Sequence, residues 1–142
     1  MKPKNILVPT DFGESAGAAL RQGRELAEAF DATLHVLYVT GLPLKNSQPD
    51  RARQIEVLGL ERLKALLGPC DETRVKLACR VGPPLIEIVE YAKIHDIDLM
   101  VMGSHTRLPT PQMAMTSVTE NIVRQAPCPV LVVQGPPHEL VA

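Results

Sequence analysis

Five short apolar segments alternate with four segments of helical periodicity along this chain of 142 residues. Each apolar segment is rich in β-branched residues, as buried strands are. Alternating strands and helices are typical of βαβ units, and right-handed crossovers leave few ways to connect them. The sequence therefore predicts an α/β fold with a doubly wound parallel sheet. The predicted strands are Asn5–Pro9, Thr33–Thr40, Thr73–Arg80, Asp98–Met102 and Pro129–Val133.

The helical segments each carry an apolar stripe or a recognisable start. The first helix has its stripe at Ala16, Ala19, Leu20, Gly23, Ala27 and Phe30. The second runs from about Asp50 to Leu67, with a predicted buried stripe of Ile55, Leu58, Gly59, Leu63, Leu66 and Leu67. Pro83 and Pro84 suit the first turn of a third helix. A capping box, Ser117-x-x-Glu120, starts the fourth near Thr116.

Composition narrows the class of protein. The length suits one domain, and we expect residues 1–142 to form it, with 136–142 as a flexible Pro-containing tail. A net charge of -1 offers no basic surface for nucleic acid or anionic lipid. No apolar run is long enough to span a membrane, and a strand begins too early for a signal peptide. The three cysteines lack the spacing of a zinc site or a disulfide framework. We therefore expect a cytoplasmic protein.

Two loops are expected to meet at the carboxyl ends of the strands, where a doubly wound sheet binds its ligands. They are residues 9–15 after the first strand and 103–115 after the fourth. Gly103 directly follows a strand, and Ser117 lies at a helix start, which is the general arrangement for holding a phosphate. A plain strand-to-helix connection explains these two features equally well.

Longer motifs resemble one known family. Asn5-Ile6-Leu7-Val8-Pro9-Thr10-Asp11-Phe12, Val101-Met102-Gly103-Ser104-His105, Thr116-Ser117-Val118 and Ala126-Pro127-Cys128-Pro129-Val130-Leu131-Val132-Val133 are similar to segments of the universal stress protein family. Val81-Gly82-Pro83-Pro84-Leu85 resembles the Gly-Pro start of its third helix. The resemblance covers essentially the whole chain. It implies five parallel strands in the order 3-2-1-4-5, as in adenine nucleotide α-hydrolase folds, and a homodimer.

The same resemblance implies an adenine nucleotide pocket with an altered phosphate loop. Members that bind ATP carry Gly, two residues, Gly, nine residues, Gly, then Ser or Thr. Here Gly103 and Ser117 match, but Thr106 and Thr116 replace the second and third glycines. A β-branched residue cannot adopt positive φ without strain, and Pro109 and Pro111 remove two amide donors. We therefore expect weak or absent ATP binding, and any binding of ATP, ADP or AMP to occur mainly through the adenosine end.

The resemblance also implies a set of candidate ligand residues. Asp11 is expected at the adenine edge, and Arg107 or His105 near an anion. The full set is Pro9, Thr10, Asp11, Val39, Met102, Gly103, His105, Arg107, Ser117 and Val118. Simpler roles remain open, since Asp11 suits a helix cap, Arg107 and His105 suit solvated loop positions, and Val39 and Met102 suit strand packing. We expect neither catalytic nor metal-binding residues. Asp96, Asp98 and Cys128 are interpreted as structural.

These residues distinguish among four classes of function. A regulatory protein with a nucleotide pocket fits best. An ATP-using enzyme needs Lys or acidic metal ligands near the phosphates, and residues 103–115 contain no Lys, Asp or Glu. A phosphoacceptor receiver domain needs paired acids after the first strand, and only Asp11 is present. A dimeric interaction module without ligand remains open, because the apolar fifth strand, Pro129–Val133, is an expected sheet edge and predicted dimer contact.

Overall fold

The sheet is built from five strands that alternate with four helices in a computed structural model, which describes residues 2–42, 48–104 and 117–134. The strands are β1 (Asn5–Thr10), β2 (Thr33–Val39), β3 (Val75–Arg80), β4 (Leu99–Gly103) and β5 (Val130–Val133). The helices are α1 (Glu14–Phe30), α2 (Pro49–Leu67), α3 (Pro84–Ile94) and α4 (Ser117–Gln125).

All neighbouring strands pair in parallel, in the order β3-β2-β1-β4-β5. This confirms the predicted fold class and strand order, with β5 at one edge. The chain winds from β1 outward to β3, then crosses to β4 and β5 on the other side. The winding direction therefore reverses between β1 and β4. β3 begins at Val75 rather than Thr73, because Thr73 is held in a turn by the Asp71 carboxylate.

Helices cover both faces of the sheet. On one face, α1 and α2 pack over alternate strand residues such as Ile6, Val36 and Val101. On the other face, α3 and α4 cover the intervening ones, including Leu37 and Met100. Strand side chains alternate between faces, so a sheet covered on both sides requires nearly continuous apolar strands. That requirement is why the strands were recognisable from their composition.

The predicted stripe of α2 was partly wrong. Leu58 and Leu66 are 65% and 46% exposed, whereas Ala52, Gly59 and Leu63 are buried. Helix α2 contacts mainly β3 at the edge of the sheet, with fewer contacts to β2. A helix at an edge buries a narrow strip, and residues about 100° around from that strip stay in solvent.

Polar side chains organise the amino-terminal end of the sheet. Asp98 Oδ2 accepts hydrogen bonds from the amides of Lys4 (2.8 Å) and Asn5 (2.9 Å), and so ties the chain start to β4. These bonds agree with the interpretation of Asp98 as a structural residue.

The buried His35 ring bonds the Tyr91 hydroxyl through Nδ1 (2.8 Å) and Asn5 Oδ1 through Nε2 (3.2 Å). An amide oxygen accepts, so Nε2 donates and neutral Nδ1 accepts from Tyr91.

Burial lowers the pKa of His35 from 6.5 to about 4, and the nearby charges of His95 and Lys76 add to this effect. The lowered pKa agrees with the neutral ring that the two hydrogen bonds require.

Within the described ranges, no helix is both long enough and apolar enough to cross a membrane.

Candidate functional site

A cleft opens at the carboxyl ends of β1, β2 and β4, on the face covered by α3 and α4. It lies where the winding direction reverses, the position at which doubly wound sheets bind ligands. Its volume is about 110 Å³. A closed apolar cavity of roughly 150 Å³ holds one benzene molecule. The cleft is smaller than that cavity but open to solvent, so a planar ring would enter it only in part and the remainder of a ligand would lie outside.

Seven of the predicted ligand residues line this cleft: Pro9, Thr10, Asp11, Val39, Met102, Gly103 and Val118. Ser117 is the first residue of α4, which borders the cleft. His105 and Arg107 lie outside the described residues, as do Thr106, Thr116, Pro109 and Pro111. The placement of the seven residues agrees with the predicted site, while their contact with a ligand stays a prediction.

Five further lining residues were missed: Ala16, Leu37, Pro84, Ile88 and Thr119. Three of them carried a usable signal. Leu37 lies two residues before Val39, so the two side chains share a face of β2. Pro84 and Ile88 are four residues apart, which puts them on one face of α3. What the sequence did not show is that the start of α3 lies beside the ends of β1, β2 and β4.

Gly103 brings α1 and β4 together below the cleft. A Cβ atom at this position would clash with Ser15 Oγ, and it would lie 2.7 Å from Ser15 C and 2.8 Å from Ala16 N. No side chain fits between β4 and the first turn of α1. The Gly103 carbonyl also accepts a hydrogen bond from Thr119 Oγ1 at 3.2 Å. The glycine therefore fixes the first turns of α1 and α4 around one point.

A tight turn of residues 10–13, called here the β1–α1 turn, forms the acidic side of the cleft. Thr10 Oγ1 accepts a hydrogen bond from the Phe12 amide (3.1 Å), and Asp11 Oδ1 accepts one from the Gly13 amide (2.9 Å). Short side chains that bond the amide two residues ahead are typical of such turns. The N-cap of α1 is Gly13 rather than Asp11. Asp11 therefore closes the turn directly before the helix and is not itself the N-cap residue.

The lining of the cleft is mostly apolar. Eight of the twelve residues that line the cleft are apolar (Pro9, Ala16, Leu37, Val39, Pro84, Ile88, Met102 and Val118). Burial raises the pKa of the Cys128 thiol, and the Asp98 charge adds to this effect, so Cys128 is not an activated nucleophile. Across the described part of the chain, no group of three or more His, Cys, Asp or Glu side chains could hold a metal ion.

Several known proteins are similar to this chain in sequence and in architecture. The model of the universal stress protein family matches residues 2–134. Universal stress protein MJ0531 of Methanocaldococcus jannaschii is 33% identical over 144 residues, covering 96% of this chain and 85% of the relative. The solved structure of MJ0577, also from that organism, superposes with a TM-score of 0.77 at 29% identity, covering 96% and 99% of the two chains.

A further solved relative is a universal stress protein in complex with cAMP. It superposes with a TM-score of 0.67 at 21% identity and covers 96% of this chain and 100% of its own. At that identity the likeness shows a shared fold. Family membership is shown by the family model and by the archaeal relative, because each match extends over nearly all of the chain. The chain belongs to the universal stress protein family.

Proposed function

We propose that this protein is a cytoplasmic, homodimeric regulatory protein of the stress response that binds an adenine nucleotide through its adenosine end. The observation that carries the proposal is the apolar cleft at the reversal point of the sheet, with Asp11 on its rim. Apolar walls with few polar groups are typical of small-molecule sites. A carboxylate beside an apolar slot suits the exocyclic amine of adenine, which donates hydrogen bonds.

The base side of the cleft supports this proposal. Leu37 and Val39 from β2 and Met102 from β4 face the same side of the sheet and provide flat apolar walls. A thioether side chain adapts its shape to an aromatic ring at little cost. The cAMP complex of a relative with the same fold shows that this architecture accommodates an adenine nucleotide in at least one protein.

The phosphate side supports weak binding of ATP. In the β1–α1 turn, the amides of Phe12 and Gly13 are already bonded to the turn's own side chains. Phosphate binding would therefore depend on residues 103–117, where threonines replace two glycines of the family motif. The variant Thr106→Gly/Thr116→Gly should bind ATP more tightly than the unmutated protein, with little change for adenosine. Equal ATP affinity in both proteins contradicts the proposed cause.

The role of Asp11 can be tested by replacing it with asparagine. The amide oxygen of Asn still accepts from Gly13, so the turn is retained, but the side chain gains a donor where adenine also donates. We expect Asp11→Asn to weaken AMP binding roughly tenfold in calorimetry, since a lost charged hydrogen bond is worth about 1.5 kcal/mol or more. Asp96→Asn is the matched control, because Asp96 is exposed between α3 and β4, away from the cleft. Unchanged affinity in Asp11→Asn contradicts the assignment.

The homodimer is proposed to form through the edge strand β5. Leu131 is 41% exposed on this edge, and an apolar edge strand favours pairing with a second chain. We expect a dimer in sedimentation at micromolar concentration and a monomer for Leu131→Lys. Leu58→Lys on α2, at a position 65% exposed, is the matched control and should remain dimeric. A monomeric unmutated protein, or a dimer that Leu131→Lys and Val132→Pro leave unaltered, contradicts the proposed interface.

An interaction module that works without a ligand is the second candidate function, and the exposed β5 edge is the observation that favours it. The two candidates differ in one measurable respect. A ligand at about 100 times its Kd stabilises the folded state by roughly 2.7 kcal/mol. If adenosine, AMP, ADP and ATP at millimolar concentration all leave Tm unchanged while the protein is dimeric, the interaction module is the better account.

A further inference from the structure

Phe12 has an unusual backbone conformation at the edge of the cleft. Its φ is 66°, in the left-handed region that bulky side chains rarely occupy. The hydrogen bonds of Thr10 and Asp11 close the turn around it. As a result, Thr10 and Asp11 line the cleft while the ring of the next residue packs against the core between α1, α2 and the sheet. The β1–α1 turn thus joins the two faces of the sheet.

Two aromatic contacts hold the Phe12 ring in that position. Tyr38 of β2 meets it edge to face, with ring centroids 4.8 Å apart. Arg62 of α2 places its guanidinium carbon 3.9 Å from the ring centroid, within the range of a cation–π contact. Since a left-handed bulky residue costs free energy, these contacts offset the cost of the turn that presents Asp11.

The position of Arg62 is itself fixed by the packing of α2. One turn earlier, Gly59 lies directly on the sheet, where a Cβ atom would clash with Cys79 Sγ and lie 3.2 Å from Tyr38 Cδ2. Residues three apart share a helix face, so this close approach brings Arg62 over the ring. A continuous set of contacts therefore runs from α2 through Phe12 to Asp11.

We propose that Phe12, held between Arg62 and Tyr38, is a positioning residue for the cleft, and that α2 controls ligand affinity through it. The proposal rests on the proposed function, because adenosine or AMP is the ligand whose affinity is measured. It concerns a helix on the opposite face of the sheet from the cleft. A displacement of α2 is therefore transmitted to Asp11 without any ligand contact by α2 itself.

Replacing Arg62 tests the contact that comes from α2. Arg62→Met keeps a long apolar side chain and removes the cation, whereas Arg62→Lys retains a cation. Arg53→Met is the matched control, an exposed arginine on the same helix. In calorimetry well below Tm, we expect Arg62→Met to weaken adenosine binding about three- to fivefold. Arg62→Lys should recover part of the loss, and Arg53→Met should bind as the unmutated protein does. Equal affinity in all four proteins overturns the proposal.

Phe12→Gly separates the ring from the backbone conformation. Glycine adopts a φ of 66° without strain, so the turn remains accessible while the anchor is removed. We expect adenosine affinity to fall roughly tenfold, because both ring contacts are lost. If Phe12→Gly binds as tightly as the unmutated protein or more tightly, only the backbone conformation matters and the ring is not a positioning element.

A ligand-free readout distinguishes failure of this inference from failure of the proposed function. The Gly13 amide is bonded to Asp11, so its hydrogen exchange reports whether the turn is closed. We expect exchange about three- to fivefold faster in Arg62→Met than in Arg53→Met. If the unmutated protein binds neither adenosine nor AMP, the proposed function fails and this comparison alone decides the inference. Equal exchange rates in the two variants overturn it.

Discussion

Gly103→Ala should destabilise the protein, because the new methyl group meets the α1 backbone as well as the Ser15 hydroxyl, and the backbone cannot rotate away. Its Cβ would lie 2.7 Å from Ser15 C, whereas ordinary contact begins near 3.4 Å. The first turn of α1 must therefore retreat by about 0.7 Å from β4. Overpacking of a tight core costs about 1 to 3 kcal/mol, and a backbone clash belongs near the upper end. For a domain of this size, about 2.5 kcal/mol lowers Tm by roughly 8 °C.

Thermal unfolding followed by circular dichroism measures this directly, and Gly17→Ala is the matched control. Gly17 lies inside α1, where a Cβ atom would meet nothing closer than Arg21 Nη1 at 4.0 Å. Alanine is favoured over glycine within a helix by about 1 kcal/mol, so the control should melt at a higher temperature. A Gly103→Ala protein that melts within 2 °C of the unmutated protein, on the order of the effect of a surface substitution, refutes the reasoning.

Three further predictions concern polar groups. The unfolded chain protonates His35 near pH 6.5 and the folded protein only near pH 4, so stability should fall by up to about 3 kcal/mol as pH drops through that window. Urea unfolding at pH 7 and pH 4.5 checks this, and a His35→Gln protein with the same pH dependence contradicts it. Asp98→Ala leaves the amides of Lys4 and Asn5 without their acceptor and should cost about 2 kcal/mol in urea unfolding; a loss below 0.5 kcal/mol disagrees. Thr119→Val removes the bond to the Gly103 carbonyl and should lower the free energy of unfolding by about 1 kcal/mol, so an unchanged value argues against that bond.

The alternation of apolar and helical segments predicted the fold class, because strands covered on both faces must be apolar throughout. It predicted the buried side of α2 only in part, because the exposure of Leu58 depends on the position of that helix at the sheet edge. The role of Gly103 was only partly foreseen. The motif indicated a turn near phosphate, and the structure shows the close approach of α1 to β4.

The residues that line the cleft were likewise predicted only in part. Asp11, Val39 and Met102 could be placed from the family resemblance, because they lie at or just after the carboxyl ends of β1, β2 and β4. Leu37 and Ile88 lie within β2 and α3, and the cleft forms between them only where α3 packs across the sheet, which local sequence does not indicate. The anchor of Phe12 by Arg62 joins residues 50 positions apart, and no local pattern in the sequence indicates such a pair.

The adenosine end of a nucleotide should supply most of the binding free energy. Calorimetric titration of the unmutated protein with adenosine, AMP and ATP, with and without Mg²⁺, measures its share. We expect affinities within about fivefold of one another, which corresponds to about 1 kcal/mol from the phosphates. We also expect no dependence on Mg²⁺. Tight, Mg²⁺-dependent binding of ATP by a protein that does not bind adenosine would contradict both expectations.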